Sequence, residues 1–180
     1  MATCVAFLRG INVGGHGTLP MKELVAILEG MGARNARTYI QSGNAVFDGA
    51  EADMAQHSAR LAAAIAKRRG FEPAVHVMTA ASLAKALAEN PFPEATGDPA
   101  SLHLGFLASP PKRPDLETLA RLKKASERFH LARGVFYLHA PEGIGRSKLA
   151  AGAEKAIGVS MTSRNWRTAC KVMEMAGSRP

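Results

Sequence analysis

The chain has 180 residues, 47% of them apolar, with 23 Lys plus Arg against 15 Asp plus Glu and a formal net charge of +8. That apolar fraction supports a real core and excludes disorder as the main state, and the length suits one large domain or two small ones. No apolar run approaches the roughly 20 residues that span a bilayer. The N-terminal stretch lacks the basic leader and long apolar segment of a signal peptide. Two cysteines, Cys4 and Cys170, suit a reducing compartment better than a disulfide framework, so the expected setting is the cytoplasm.

Thr3 to Arg9 is a short apolar run of strand formers and reads as a buried strand. A glycine-rich loop, Gly10 to Gly17, follows it, and Pro20 sits where a first helical turn tolerates proline. Leu24, Ile27, Leu28 and Met31 recur at helical spacing, with Gly32 as the stop. Ala36–Gln41 and Ala45–Asp48 are strands of a hairpin turned by Ser42-Gly43-Asn44. Glu51–Arg69 is a long Ala-rich helix and Ala74–Met78 a fourth strand. This βαββαβ order is the ferredoxin-like unit.

A bridging helix, Ala80–Glu89, ends at the Asn90-Pro91-Phe92-Pro93 breaker, after which the order repeats. Strands are expected at Leu102–Ala108, Arg128–Leu131, Val135–His139 and Val159–Thr162. Helices are expected around Leu116–Leu122, over Lys148–Ile157 and over Arg164–Ala176. The fold class is therefore α+β, a duplicated ferredoxin-like arrangement with a trailing helix after each half. The halves are residues 1–90 and 91–180, sharing one sheet or packed closely.

Topology brings two residue clusters together. The first and second strands of a ferredoxin-like sheet are parallel, so the Gly10–Gly17 loop lies beside the 41–44 hairpin. Arg9, Asn12, Gly14, Gly15, Ser42 and Asn44 then share one edge, where backbone N–H groups ahead of a helix could cradle an anion. The alternative is that the glycines only turn a corner and the two asparagines bond backbone locally. In the second half, the loop Pro141–Lys148 and the turn Thr162–Trp166 share an edge. That places Arg146, Lys148 and Arg164 near two helix N-termini, with Ser147 and Thr162 or Ser163 as caps.

Charge is concentrated there: from Gly143 onward seven basic residues face only Glu154 and Glu174. On a helical wheel of the last helix, Trp166, Ala169, Cys170, Met173 and Ala176 fall on one side. Arg164, Arg167, Thr168 and Lys171 fall on the other, either a solvated face or one wall of an anion site.

Several chemistries are unsupported. There is no G-x-G-x-x-G with a downstream acid, no Walker spacing and no G-x-S-x-G elbow. The six histidines show no metal-ligand spacing, and His76, His103, His130 and His139 fall in strands. His16 alone lies in a candidate loop. No metal or cofactor is expected. A nucleic-acid platform is also weak. Phe47 is the only aromatic on its strand, Phe136 and Tyr137 must point to opposite faces, and the RNP pattern is absent.

The strings Phe7-Leu8-Arg9-Gly10-Ile11-Asn12-Val13-Gly14-Gly15-His16 and Arg37-Thr38-Tyr39-Ile40-Gln41-Ser42-Gly43-Asn44 resemble a bacterial family known as domain of unknown function 1697. The likeness continues through Met21-Lys22-Glu23-Leu24, Asn90-Pro91-Phe92, Gly143 to Leu149 and Thr162 to Thr168. Departures are Ser163, where threonine is usual, and Arg167, where asparagine is frequent. The resemblance implies a duplicated ferredoxin-like fold and transfers no activity, ligand or catalytic residue. The residues themselves point to a binding protein, or an enzyme of unassigned reaction, for an anionic or nucleotide-like small ligand. Its expected contacts are Arg9, Asn12, Gly14, Gly15, Ser42 and Asn44 from one half, with Lys148, Arg164, Asn165 and Lys171 from the other. The alternatives are a nucleic-acid module using the basic C-terminal half and an interaction protein without a ligand.

Overall fold

The computed structural model describes residues 1–50 and 54–178. Its first half runs β1 (Ala2–Arg9), α1 (Met21–Gly30), β2 (Arg34–Tyr39), β3 (Asn44–Gly49), α2 (Met54–Arg69), β4 (Ala74–Thr79) and α3 (Ala80–Ala88). The second runs β5 (Leu102–Leu107), α4 (Leu116–Leu122), β6 (Arg128–Ala132), β7 (Val135–His139), α5 (Lys148–Ile157), β8 (Met161–Asn165) and α6 (Trp166–Gly177). The strands make two separate four-stranded antiparallel sheets, β2-β3-β1-β4 and β6-β7-β5-β8. Both have the ferredoxin-like order, and each βαββαβ unit is followed by a helix. The chain forms two compact units, Met1–Lys85 with Lys171–Pro180, and Ala86–Cys170.

In the first unit β1 is central, which explains its unbroken apolar run. Cys4, Ala6 and Leu8 face α1 and α2 and pack with Leu24, Leu28, Leu61 and Ile65, as the period of two requires. Val5 and Phe7, on the reverse face, are also fully buried. On that face Arg37 donates from Nη2 to the carbonyls of Met175 (2.7 Å) and Ser178 (2.8 Å), holding the last turn of α6 through groups that a helix end leaves unpaired.

The second unit repeats the design. Leu107, Phe136, Leu138 and Met161 pack against Leu119, Leu149, Ala153 and Ile157. Leu102, Leu104, Phe106 and Tyr137, on the opposite face, are buried too, and Tyr137 donates its hydroxyl to the Ala86 carbonyl at 2.7 Å. Burial pushes that phenol up to about 12. Phe136 and Tyr137 thus serve opposite faces, and neither sheet presents an open aromatic platform.

The helix expected over Glu51–Arg69 is present from Met54 to Arg69, its first residues lying outside the described ones. Other expectations change. The strand expected at Val159–Thr162 is Met161–Asn165, because backbone pairing with β5 extends through Leu104↔Arg164 and His103↔Asn165. Arg164 is therefore a strand residue rather than part of the basic helix face. The cap of α6 is Asn165, whose Oδ1 accepts from the Thr168 N–H at 2.9 Å, rather than Thr162 or Ser163. Ser147 does cap α5, accepting from the Ala150 N–H at 3.0 Å. Short 3₁₀ turns at Pro93–Gly97 and Ile144–Arg146 complete the structure.

Candidate functional site

Because β1 and β2 both run antiparallel to β3, their C-terminal ends lie at one edge of the first sheet. The Leu8 N–H donates to the Gly43 carbonyl at 2.8 Å, joining the strand end to the hairpin turn. The glycine-rich loop is itself a small hairpin: Val13 and His16 exchange backbone bonds of 3.2 and 2.9 Å, and Asn12 N–H donates to Gly17 O at 3.0 Å. Gly14 and Gly15 occupy its corner with φ of 56° and 79°, the left-handed pair that a two-residue primed turn needs.

Asn12 joins the two loops. Its Oδ1 accepts from Leu19 N–H (2.8 Å), and its Nδ2 donates to the carbonyls of Leu19 (2.9 Å) and Gln41 (2.8 Å). Asn44 is fully buried and donates to Tyr39 O (2.9 Å) and Ser42 Oγ (3.1 Å). Both asparagine amides are thus spent on the protein, and they position the edge instead of facing outward. Arg9, Gly14, Gly15, His16, Gln41 and Ser42 are exposed on it. Ile40 is also exposed and holds φ at 48°, a conformation that a β-branched side chain strongly disfavours. Strain of this kind, with no burial to reward it, gathers at functional surfaces.

At the second edge, Leu102 pairs with His139 and His103 with Asn165, so β7 and β8 end on either side of the start of β5. Arg146 and Lys148 are exposed on either side of the buried cap Ser147. Arg164 is half-buried and donates to the Ser163 carbonyl at 2.8 Å, and burial pulls its guanidinium down to about 10, still a cation at neutral pH. Asn165 is committed to the cap. Lys171 forms an ion pair with Glu174 at 2.8 Å on its own helix. Glu142, the carboxylate of the 141–148 loop, is held below its ordinary range by bonds from Ser126 and Lys124 and serves to fix that loop.

His103 is a feature that its position in a strand did not reveal. It is 9% exposed, its ring bonds the Ala100 backbone, and its Nε2 is buried with no partner among the described residues. Burial holds His103 and His76 below the ordinary imidazole value of 6.5. The unfolded chain therefore takes up protons near 6.5 that the folded chain refuses, so stability falls on acidification through that value and is regained above it. Depressed carboxylates such as Glu94 and Asp115, whose ordinary values are 4.5 and 3.8, act only at lower pH. The urea midpoint is expected to drop between pH about 7.5 and about 5.5, and His103→Gln to flatten that slope.

A family profile described as "Protein of unknown function (DUF1697)" matches residues 1–137. The chain belongs to this family. The match spans the whole first unit's sheet and both of its candidate loops. No curated protein matches the chain. Among solved structures it is similar to "conserved bacterial protein SP0830 from Streptococcus pneumoniae", at 23% identity and a TM-score of 0.69, over 97% of this chain and 98% of that one. That likeness supports the fold. No helix among the described residues is long and apolar enough to cross a membrane.

Proposed function

We propose that this DUF1697 protein binds a small anionic ligand, of the phosphate-ester or nucleotide class, at the loop edge of its first unit. Arg9 supplies the charge, the Gly14–Gly15 corner lets backbone approach closely, and His16, Gln41 and Ser42 orient the rest of the ligand. The observation that carries the reading is the Asn12 clip. Its amide fixes two exposed loops against each other, although neither contributes much to the core beyond Ile11 and Leu19. Such preorganisation reduces the ordering cost of binding. Arg146, Lys148 and Arg164 give the second unit a cationic edge of its own, in which Asn165 serves as a helix cap. A nucleic-acid track is disfavoured because the sheet faces that would stack bases are buried.

A thermal-shift screen with inorganic phosphate, pyrophosphate, nucleoside phosphates, sugar phosphates and a short RNA tests this reading. At about 100 times Kd a ligand adds about 2.7 kcal/mol, which raises Tm by several degrees. The shift is expected with one phosphate-bearing small molecule and lost in Arg9→Ala. Stabilisation by RNA alone that collapses with salt, or by no compound, would contradict it.

A further inference from the structure

We propose that the first unit carries a second, independent site: a cavity beneath α1 and α2 that takes a short-chain monocarboxylic acid. The cavity, about 110 Å³, opens between the C-terminal end of α1, the end of β3 and the first turns of α2. Its base is formed by Leu28, Phe47, Leu61 and Val77, all buried. Its rim is Gly32, Ala50 and Arg60, all exposed. An apolar floor thus lies under a rim that carries the Arg60 guanidinium.

Arg60, exposed at the rim, makes no ion pair among the described residues, and His57, in the wall, has its Nε2 buried without a hydrogen-bond partner. Buried polar atoms are seldom left so. A carboxylate at the rim accepts from the Arg60 guanidinium, and rotation about the soft χ2 torsion of His57 brings a second N–H to it.

The volume sets the tail. An apolar cavity of about 150 Å³ is known to hold a six-carbon ring, so one of this size takes a tail of about three to five carbons. A phosphate is too strongly hydrated for the apolar base. An alkylammonium meets Arg60 with like charge, and a plain hydrocarbon or alcohol leaves the guanidinium unpaired. The site does not depend on the loop edge, which precedes the N-terminus of α1. The cavity lies at that helix's other end, about 15 Å away along its axis.

The test is calorimetric titration of the full chain with linear carboxylates from acetate to hexanoate, beside butan-1-ol and butylammonium, followed by methyl NMR. Affinity is expected to rise about fourfold per methylene and then break when the tail fills the cavity. The Leu28, Leu61 and Val77 methyl signals are expected to move. Arg60→Gln, a surface change that leaves the fold intact, is expected to weaken butanoate about fivefold to tenfold. Ala33→Leu, in the half-buried wall, is expected to shorten the preferred chain. Arg9→Ala is expected to change nothing here, which separates this site from the loop edge. A flat chain-length series, equal binding of the amine or alcohol, movement of methyls elsewhere, or no saturation by about 50 mM would each overturn the proposal.

Discussion

Gly43→Ala is expected to destabilise the first unit by about 2–5 kcal/mol, seen as a lower urea midpoint without a change in m. Two costs coincide at this position. Gly43 holds φ at 82°, where an L side chain is strained by about 1–2 kcal/mol. An added Cβ would also lie 2.7 Å from both Leu8 Cβ and Ile11 Cδ1. The Ile11 atom is the tip of a side chain and has some freedom. The Leu8 atom is rooted in the central strand, so β1 itself would have to move, and overpacking of that kind costs about 1–3 kcal/mol. Gly14→Ala is the internal control. Its φ is 56°, but nothing lies within 4 Å of the added atom, so only the conformational cost of about 1–2 kcal/mol applies. Equal effects at the two positions would show that the close approach of hairpin and strand is not what holds the edge.

Asn12→Ala is expected to cost about 2–4 kcal/mol and to release the two loops from each other. The substitution removes three hydrogen bonds at once and leaves the N–H and carbonyl of fully buried Leu19 without their partner. Asn12→Asp restores the acceptor for Leu19 N–H. It also places a carboxylate against two carbonyl oxygens, so it is expected to rescue little. Amide exchange separates this from a general loss of stability. Leu19 and Gly43 are expected to exchange faster under native conditions, while amides of β5 and β7 in the second unit keep their protection. Uniform acceleration across both units would contradict the clip.

Much of the fold was legible because local signals agreed. The helical spacing of Leu24, Ile27 and Leu28 and the Gly43-centred turn each pointed to one structure, and the doubled βαββαβ order fixed which strand ends meet. The site was legible only in outline. Topology put Asn12 beside the hairpin. Whether its amide faces a ligand or a backbone carbonyl depends on a left-handed φ of 53°, which asparagine tolerates and no spacing rule reveals. Ile40 was hidden for the opposite reason, since its residue type argues against the conformation it holds. The end of β8 was misplaced because Ser163, Arg164 and Asn165 are polar. Pairing with β5 keeps them in the strand against their own propensity. The unmet nitrogens of His57 and His103 depend on what packs around them, which periodicity does not report.

The central claim, that the loop edge of the first unit is a preorganised anion site, is tested most directly by an amide NMR titration of the full chain with inorganic pyrophosphate and a nucleoside monophosphate. The account predicts saturable shifts at Gly10, Gly14, Gly15, His16 and Ser42, with Asn12 and Asn44 side-chain amides little changed, and loss of those shifts in Arg9→Ala. Shifts confined to other surfaces, or loop-edge shifts that persist undiminished in Arg9→Ala, would contradict it.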